Sequence, residues 1–324
     1  MSKLILHTAH YEGLPWEILQ SVIPKDFEVR TLPKATTEDL IREAKDADYL
    51  LVSGRLPIDK SVLKIATKLK MIQRTGVGTE MLDLDAIRER NIPVYVNQGV
   101  NARSVAEHTM LMIFSCLKNL PKISFDVKSG VWKKQQVGVC CNMLYGKTIG
   151  LIGMGNIGKL VAEMLMPFGV KVFYSDIRRM SEADEIRYGV NYCTFESLLR
   201  KVDILSLHCP LTEDNKEIIN KETLAVMKRG AMIVNTARGK LINERDLYNA
   251  LVSGQIKTAA LDVHYEEPIL VEDPLISLDN VILSPHIAGL SYEAFRDMMR
   301  EAVDNIVAFD NGEYDKIENK KLEK

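Results

Sequence analysis

The sequence has no apolar run long enough to form a membrane-spanning helix, which needs roughly 20 such residues in a row. Apolar residues make up 46% of the 324 residues, but they come in short runs. The opening residues, MSKLILHTAH, also lack the long apolar core and the cleavage site of a signal peptide. We therefore expect a first β-strand there, and we expect no membrane as a partner.

The sequence has little excess of charge of either sign. Its 42 Lys and Arg residues nearly balance its 44 Asp and Glu residues, which gives a formal net charge of −2. A clear excess of positive charge is the usual mark of proteins that bind nucleic acids or anionic membranes. The balance therefore gives no reason to expect nucleic acid as a partner.

Cysteine is scarce and shows no spaced pairs. The five cysteines are an odd number, and two of them are neighbours in the chain, which seldom form a disulfide bond with each other. They are Cys116, Cys140, Cys141, Cys193 and Cys209. We expect reduced thiols in a cytoplasmic protein and no metal site, with a reactive or metal-bound cysteine as the alternative.

The chain does contain an alternation of short apolar runs and helical patterns, and its length fits two domains. In the first hundred residues, the predicted strands are residues 3–8, 27–32, 49–54, 70–76 and 92–97. Helices are predicted over 36–46, which begins with a Thr cap, and over 82–91. Such alternation predicts a parallel sheet with both faces covered.

A long apolar helix is predicted from about residue 104 to 120, and Pro121 should stop or kink it. Because this helix is apolar on most faces, we expect it to be buried between domains or between subunits. Residues 122–146 look less regular, and Trp132 is predicted to anchor them.

A second alternation follows, which predicts a second α/β domain. Its predicted strands are residues 147–153, 171–176, 202–210, 230–237, 258–263 and 280–286. One more helix is predicted over about residues 292–311, and the charged tail after it is expected to be mobile.

The motif GMGNIG, from Gly153 to Gly158, lies between a predicted strand and a predicted helix. Gly153 permits a tight turn, Gly155 lets a pyrophosphate approach the backbone, and Gly158 lets the helix pack against the strand. Asn156 and Ile157 complete the motif where the helix begins, and a helix N-terminus favours phosphate. This context predicts a dinucleotide-binding turn.

Asp176 ends the strand after this turn, where a carboxylate can bind the ribose hydroxyls of NAD and repel the 2′-phosphate of NADP. Arg178 and Arg179 follow at once, and a guanidinium could pair with that phosphate. The residues favour NAD as the cofactor but leave NADP open.

Several motifs in fixed order resemble the D-isomer-specific 2-hydroxyacid dehydrogenase family, from about residue 40 to residue 295. Besides GMGNIG they are RTGVGTE (74–80), NARSVAEH (101–108), HCPLT (208–212), NTARG (235–239), LDVHYEEP (261–268) and SPHIAG (284–289). SVAEH and GVWKK (130–134) look closest to the D-3-phosphoglycerate dehydrogenase branch, although we expect no regulatory domain of the kind that this branch has.

The resemblance implies two Rossmann-like or flavodoxin-like doubly wound domains with an active-site cleft between them. It implies a discontinuous substrate-binding domain over residues 1–99 and 290–324, and an NAD-binding domain over residues 100–289. Chain order alone would put the last helix in the second domain, whereas the resemblance returns it to the first. A homodimer is also implied.

The resemblance implies a catalytic role for three side chains. Arg238 matches the arginine that binds the substrate carboxylate and C2 oxygen, which suits the two parallel bonds of a guanidinium. His286 matches the acid/base that moves the proton at that oxygen, and Glu267 matches its carboxylate partner. Arg238 and His286 are also expected to contact the cofactor. We expect hydride transfer between NAD and a small 2-keto or D-2-hydroxy acid.

The resemblance also implies further binding residues. Those expected at the cofactor, besides the glycine motif and Asp176, are His208, Pro210, Thr236, Ala237 and Asp262. Those expected at the substrate are Ser53, Gly54, Val77 and Gly78. His7, His10 and His108 are treated as structural, and the role of His264 is left open.

The sequence departs from the phosphoglycerate branch at Ser53 and Gly54, where that branch has an arginine and a serine that help to bind phosphate. The nearest arginine, Arg55, is displaced. We therefore expect an unphosphorylated substrate, with phosphoglycerate as the alternative. The rival from another class is an NAD-sensing binding protein like the corepressors that share this fold.

Overall fold

The computed structural model describes residues 2–53 and 56–317. The chain divides into two compact units, of which the first consists of Met1–Asn101 with Tyr292–Lys324 and the second of Ala102–Ser291. Gly54, Arg55 and the predicted mobile tail after residue 317 lie outside the described residues.

The first unit is a five-stranded parallel sheet with helices. Its strands are β1 (Lys3–His7), β2 (Phe27–Thr31), β3 (Tyr49–Val52), β4 (Met71–Arg74) and β5 (Val94–Val96). Its helices are α1 (Leu14–Ser21), α2 (Thr37–Ala44), α3 (Lys60–Ile65), α4 (Leu84–Glu89) and α13 (Tyr292–Asp310). The strand order is β2-β1-β3-β4-β5, and all pairs are parallel.

The second unit is a larger sheet of seven parallel strands. Its strands are β6 (Thr148–Ile152), β7 (Lys171–Ser175), β8 (Val190–Tyr192), β9 (Ile204–Leu207), β10 (Ala231–Asn235), β11 (Ile256–Leu261) and β12 (Val281–Leu283). Its helices are α5 (Ala102–Lys118), α6 (Leu120–Lys128), α7 (Lys134–Gly138), α8 (Asn156–Leu165), α9 (Glu182–Tyr188), α10 (Phe195–Lys201), α11 (Lys221–Val226) and α12 (Glu244–Val252). The order β12-β11-β10-β9-β6-β7-β8 reverses direction at β6, and ligands of such sheets bind at this switch point.

Both faces of the larger sheet are buried, which explains why its strands are apolar without alternation. In β10, Ile233 packs into one apolar core, while its neighbours Met232 and Val234 pack into the other. A parallel sheet covered by helices on both faces requires this pattern. The predicted α/β class with two doubly wound parallel sheets is confirmed.

The last helix, α13, belongs to the first unit. Its buried face, which includes Met299 and Val303, packs into a core with Ile5 and Leu51 of β1 and β3. The polar side chain of buried Asn97 adds a link, because its Nδ2 donates to the carbonyl of Met298 at 2.8 Å. The end of the chain therefore completes the unit formed by its beginning.

The region around Pro121 differs from the prediction. The long helix α5 ends at Lys118, and the break lies at Asn119, whose φ of 48° is left-handed. Pro121 is in the first turn of α6, a position that needs no backbone N–H. The prediction that Trp132 anchors this region is wrong, because its side chain is 78% exposed.

Among the helices of the described residues, none combines the length and the apolar character needed to cross a membrane.

Candidate active site

The glycine motif forms a tight turn between β6 and α8. Gly153 has a φ of +97°, and a Cβ there would lie 2.8 Å from backbone atoms of His208 and Cys209. A Cβ on Gly158 would overlap the carbonyl of Gly153, whereas one on Gly155 would meet nothing within 4 Å. Only the middle glycine therefore faces open space.

The N-terminus of α8 is left open by the chain itself. No side chain caps it at Gly155, and the first N–H groups of any helix have no partner within the helix. These donors and the positive end of the helix dipole favour a bound phosphate. The turn therefore fits the pyrophosphate of a dinucleotide.

Asp176 follows β7 and lies against the glycine motif. Its Oδ2 accepts a hydrogen bond from the Met154 N–H at 2.7 Å, and its Oδ1 accepts one from the Arg178 N–H at 3.1 Å. Each carboxylate oxygen can accept a second bond. The carboxylate is thus fixed by backbone donors and keeps the capacity to bind ribose hydroxyls.

The segments after β9 and β10 lie at the same edge of the sheet. His208 follows β9, and its Nε2 lies 2.9 Å from the Ser206 hydroxyl. Burial lowers the pKa of His208 to about 4, so its ring is neutral at neutral pH. The Thr236 hydroxyl lies 2.9 Å from that of Thr109 on α5, which fixes the start of the NTARG segment.

Arg238 is held in a turn after β10 by a neighbour that the sequence did not single out. The buried Asn235 side chain accepts from the Ala237 N–H at 3.0 Å and donates to the Arg238 carbonyl at 2.9 Å. A Cβ on Gly239 would overlap the backbone of His264. The turn that carries Arg238 therefore packs directly against the segment that leads to Glu267.

His286 and Glu267 form a hydrogen-bonded pair. His286 Nδ1 lies 2.8 Å from Glu267 Oε2, and the side chain of His286 is 43% exposed. A carboxylate can only accept, so Nδ1 carries the proton of this bond. Nε2 is then the ring nitrogen left to exchange a proton with a substrate.

Glu267 is oriented by the backbone of its own turn. Its second oxygen, Oε1, accepts a hydrogen bond from the His264 N–H at 3.0 Å. The side chain of His264 in turn binds the Ser284 carbonyl through Nε2 at 2.9 Å. His264, whose role the sequence left open, therefore links the segment of Glu267 to the loop that carries His286.

A completely buried carboxylate, that of Asp262, holds the loop after β12. It accepts hydrogen bonds from the Ser284 hydroxyl at 2.6 Å and from the N–H groups of Ile287 and Ala288 at 2.9 and 2.8 Å. The Asp262 carbonyl also accepts from the His286 N–H at 2.7 Å. His286 is held on both sides in a left-handed conformation, with a φ of 58°.

His108 on α5 completes this network, a role that the sequence did not indicate. Its Nε2 lies 3.2 Å from the Ser284 hydroxyl. Because that hydroxyl already donates to Asp262, the ring nitrogen is the donor to it. SVAEH therefore contributes a support for the loop that carries His286, through a contact between residues 176 positions apart.

In the first unit, the described members of the predicted substrate-binding set are Ser53, which follows β3, and Val77 and Gly78, which follow β4. Ser53 is buried, and its hydroxyl is bonded to the ring of His7. Arg74 donates to the carbonyls of Gly78 at 2.7 Å and Val52 at 3.1 Å, so one guanidinium joins the two segments. Val77 is half exposed. Gly54, predicted beside Ser53, lies outside the described residues.

Comparisons with a family model and with known proteins point to the same family. Residues 110–288 match the model of the D-isomer specific 2-hydroxyacid dehydrogenase NAD-binding domain. The chain is 37% identical over 277 residues to a glyoxylate reductase of Korarchaeum cryptofilum, covering 85% of this chain and 83% of that protein.

The chain belongs to the D-isomer specific 2-hydroxyacid dehydrogenase family.

Two further relatives show the range of this family. A D-3-phosphoglycerate dehydrogenase of Methanocaldococcus jannaschii is 39% identical over 269 residues, which cover 82% of this chain but 50% of that protein. The apo structure of D-lactate dehydrogenase from Escherichia coli has a TM-score of 0.86 and 27% identity, and the match covers 96% of this chain and 97% of that one.

Membership establishes the reaction class and the cofactor. The protein is an NAD-dependent oxidoreductase that transfers a hydride between the nicotinamide and C2 of a small D-2-hydroxy acid or 2-keto acid. The open N-terminus of α8, the free space at Gly155 and the fixed carboxylate of Asp176 fit NAD. The alternative hypothesis, an NAD-sensing binding protein like the corepressors, is not favoured, because the relatives are named reductases and dehydrogenases.

The contrast between two glycines gives the first prediction. Gly158→Ala places a methyl group against the Gly153 carbonyl. It should therefore lower NADH affinity, and it should lower the free energy of unfolding by about 1–3 kcal/mol. Gly155→Ala meets no protein atom, so it should keep the melting temperature and weaken NADH binding by about tenfold or more.

Differential scanning fluorimetry and NADH fluorescence titration measure the two effects. Unchanged NADH affinity in Gly155→Ala would show that the free space at Gly155 does not serve the cofactor.

Proposed function

We propose that the enzyme acts on small, unphosphorylated 2-keto acids such as glyoxylate and hydroxypyruvate, with His286 as the acid/base. The observation that carries this proposal is the contact between His286 Nδ1 and Glu267 Oε2 at 2.8 Å, which leaves Nε2 for the substrate. When bound, NAD supplies or accepts the hydride at C2. The chain's own groups orient the acid and move the proton.

His286 gives a proton to the C2 oxygen in reduction and takes it back in oxidation. Glu267 keeps the ring in one orientation and stabilises the charged imidazolium, as carboxylate partners of catalytic histidines do. The other described histidines of the second unit are less suited. His208 is neutral at neutral pH because of its burial, and His264 and His108 bind the Ser284 segment through Nε2.

Arg238 binds the substrate carboxylate and polarises the C2 carbonyl. A guanidinium offers two parallel donors to a carboxylate, which fixes the orientation of the acid. A cation beside the carbonyl oxygen stabilises the negative charge that develops there. The support for this role is the position of the Arg238 turn against the segment that leads to Glu267.

The residues proposed to hold NAD lie at the carboxyl ends of β6, β7, β9, β10 and β11. The glycine motif, from Gly153 through Asn156 and Ile157 to Gly158, takes the pyrophosphate, and Asp176 takes the adenosine ribose. The residues proposed nearer the nicotinamide are His208, Pro210, Thr236, Ala237 and Asp262. The Asp262 carboxylate accepts hydrogen bonds from the loop after β12. It is also proposed to bind the amide of the nicotinamide. Arg238 and His286 are also proposed to contact the cofactor.

Ser53, Gly54, Val77 and Gly78 of the first unit are proposed to bind the substrate. The support for an uncharged substrate side chain is His7, which is bonded to Ser53. Burial lowers the pKa of His7 to about 3, so its ring is neutral and offers no charge to a phosphate. Arg74 is engaged with the carbonyls of Val52 and Gly78.

A substrate panel tests the preference. Initial rates with NADH are measured for glyoxylate, hydroxypyruvate and pyruvate, and with NAD for D-3-phosphoglycerate. We expect kcat/KM to be highest for one of the three unphosphorylated acids. A kcat/KM for D-3-phosphoglycerate above that for the oxidation of D-glycerate, the matched acid without the phosphate, would contradict the proposal.

The acid/base role predicts the effect of two substitutions. His286→Ala should lower kcat by about 10²- to 10⁴-fold, because the proton of the C2 oxygen has no donor. Glu267→Gln keeps the size of the side chain and should lower kcat less. The double variant should be no slower than His286→Ala alone, because Glu267 acts through His286.

Stopped-flow turnover and NADH titration provide the measurements, and NADH affinity should stay within about threefold of the wild type if the ring serves mainly the chemical step. Near-normal turnover of His286→Ala with a good substrate would refute the role.

We also propose that two copies of the chain associate through α5, α6 and α7. Residues 102–145, which contain these helices, expose nine large apolar side chains, and α6 and α7 have no buried residue. The exposed side chains are Leu111, Phe114, Leu120, Phe125, Val127, Trp132, Val139, Met143 and Tyr145. Exposed apolar clusters of this kind mark protein interfaces.

Light scattering at micromolar concentration tests the dimer. The wild type should have twice the mass of the chain, and Phe125→Glu with Trp132→Glu should give a monomer that keeps its far-UV circular dichroism. Val271→Glu is the matched control, because Val271 is 86% exposed outside this region. A monomeric wild type would overturn the proposal.

The cytoplasm is the proposed location, and the support is the state of the thiols. All five cysteines are free, and Cys116 and Cys193 are buried. Burial raises the pKa of Cys116 to about 12, so this thiol stays protonated and unreactive at neutral pH.

A further inference from the structure

The loop after β7 carries charges of both signs where the adenosine ribose is proposed to bind. Asp176 is followed by Arg178 and Arg179, and all three lie within four residues. NADP differs from NAD by a phosphate on the 2′-hydroxyl of this ribose. A carboxylate at this place favours NAD, whereas an arginine nearby accommodates the phosphate of NADP. Whether an arginine of this loop is free to reach that phosphate therefore bears on how strict the cofactor preference is.

The guanidinium of Arg179 is bound to a carboxylate of the next helix. Its Nε donates to Glu185 Oε1 at 2.9 Å, and its Nη2 donates to Glu185 Oε2 at 3.0 Å. The guanidinium also lies 5.4 Å from the centre of the Tyr192 ring. Two parallel bonds between a guanidinium and a carboxylate fix both direction and distance. Arg179 is thus turned toward α9.

Glu185 is itself held in place. It is 9% exposed, and its Oε1 also accepts a hydrogen bond from the Tyr174 hydroxyl at 2.8 Å. Tyr174 is completely buried, and its oxygen accepts from the Met180 N–H at 2.9 Å. The bonds from Arg179 and Tyr174 lower the pKa of Glu185 to about 2. The carboxylate is therefore charged throughout the neutral range.

We propose that Glu185 is a specificity-determining residue that excludes NADP by withholding Arg179 from the 2′-phosphate. Asp176 repels the phosphate directly, and Glu185 removes a cation that would otherwise offset that repulsion. The inference rests on the proposed place of Asp176 at the adenosine ribose. It adds a residue nine positions further along the chain, on another element.

The electrostatic reason is a competition for one guanidinium. The side chain of Arg179 is 62% exposed, so it can turn to another anion if its partner is removed. Glu185→Gln keeps the size of the side chain and its ability to accept from Tyr174, but it removes the charge and one acceptor of the paired bonds. The released arginine would then bind a phosphate dianion, and charge-assisted bonds of this type are strong.

The test is the affinity of the binary complexes for NADPH and NADH, measured by fluorescence titration without any keto acid. Glu185→Gln should tighten NADPH binding by about 10- to 100-fold, with NADH affinity changed by less than about threefold. Adding Arg179→Gln to this variant should abolish the gain. Glu182→Gln is the matched control, since it removes the same charge from an exposed position of α9.

Three outcomes would overturn the proposal: unchanged NADPH affinity in Glu185→Gln, a gain that survives Arg179→Gln, or an equal gain in Glu182→Gln. If Glu185→Gln does not fold, Arg179→Gln alone still decides. It should leave NADPH affinity unchanged, because Arg179 is already withheld, and weaker NADPH binding would contradict the proposal.

Asp176→Ser distinguishes a failure of the proposed role of Glu185 from a failure of the proposed contact between Asp176 and the adenosine ribose. If this variant weakens NADH binding while Glu185→Gln gains nothing for NADPH, only the role of Glu185 is wrong. If Asp176→Ser leaves the affinities for both cofactors unchanged, the ribose assignment and the inference are both wrong.

Discussion

The candidate site depends on one buried carboxylate more than on any other group. Asp262 accepts three hydrogen bonds from the segment that surrounds His286, and its own carbonyl accepts a fourth from His286. A buried charge is costly unless it is satisfied in this way, so the carboxylate and the loop stabilise each other. A left-handed backbone conformation costs free energy for a residue such as His286, and it persists because the surrounding bonds restrain this loop. The position of the His286 ring, the proposed acid/base, is therefore set by the bonds that Asp262 makes to the loop around it.

Close backbone approaches organise the rest of the site. Gly153 and Gly158 let the turn after β6 pack against itself and against the end of β9, and Gly239 lets the Arg238 turn pack against His264. The contacts of Gly153 and Gly239 join segments that follow different strands of one sheet, whereas the contact of Gly158 lies within the turn after β6. Because the carboxyl ends of these parallel strands share one edge of the sheet, on both sides of the switch point at β6, residues from five segments of the chain can serve one cofactor. The parallel sheet places the carboxyl ends of its strands at one edge, and the glycines let the turns that follow these strands pack closely together.

Much of this arrangement was predictable from the sequence, because strand and helix periodicity and the order of the motifs are local signals. The glycine motif and Asp176 were recognised from local patterns, whereas the pairing of His286 with Glu267 was implied by the resemblance to a family. The support given by His108 was not predicted, since a histidine within an apolar helix looks structural and its contact to Ser284 crosses the fold. The engagement of Arg179 with Glu185 was equally hidden, because pairing between a loop and the next helix depends on side-chain direction. Trp132 was misread because an aromatic residue looks the same in a sequence whether it packs within its own chain or faces outward.

The proposed chemistry requires that Arg238 and His286 act on the same small acid. The most direct measurement is a crystal structure with NADH and oxamate, an unreactive analogue of a 2-keto acid. We expect the oxamate carboxylate to make paired hydrogen bonds to Arg238, with its carbonyl oxygen about 2.7–3.2 Å from His286 Nε2. Oxamate bound to Arg238 with His286 Nε2 directed elsewhere, or oxamate bound at another place altogether, would contradict this joint role of Arg238 and His286.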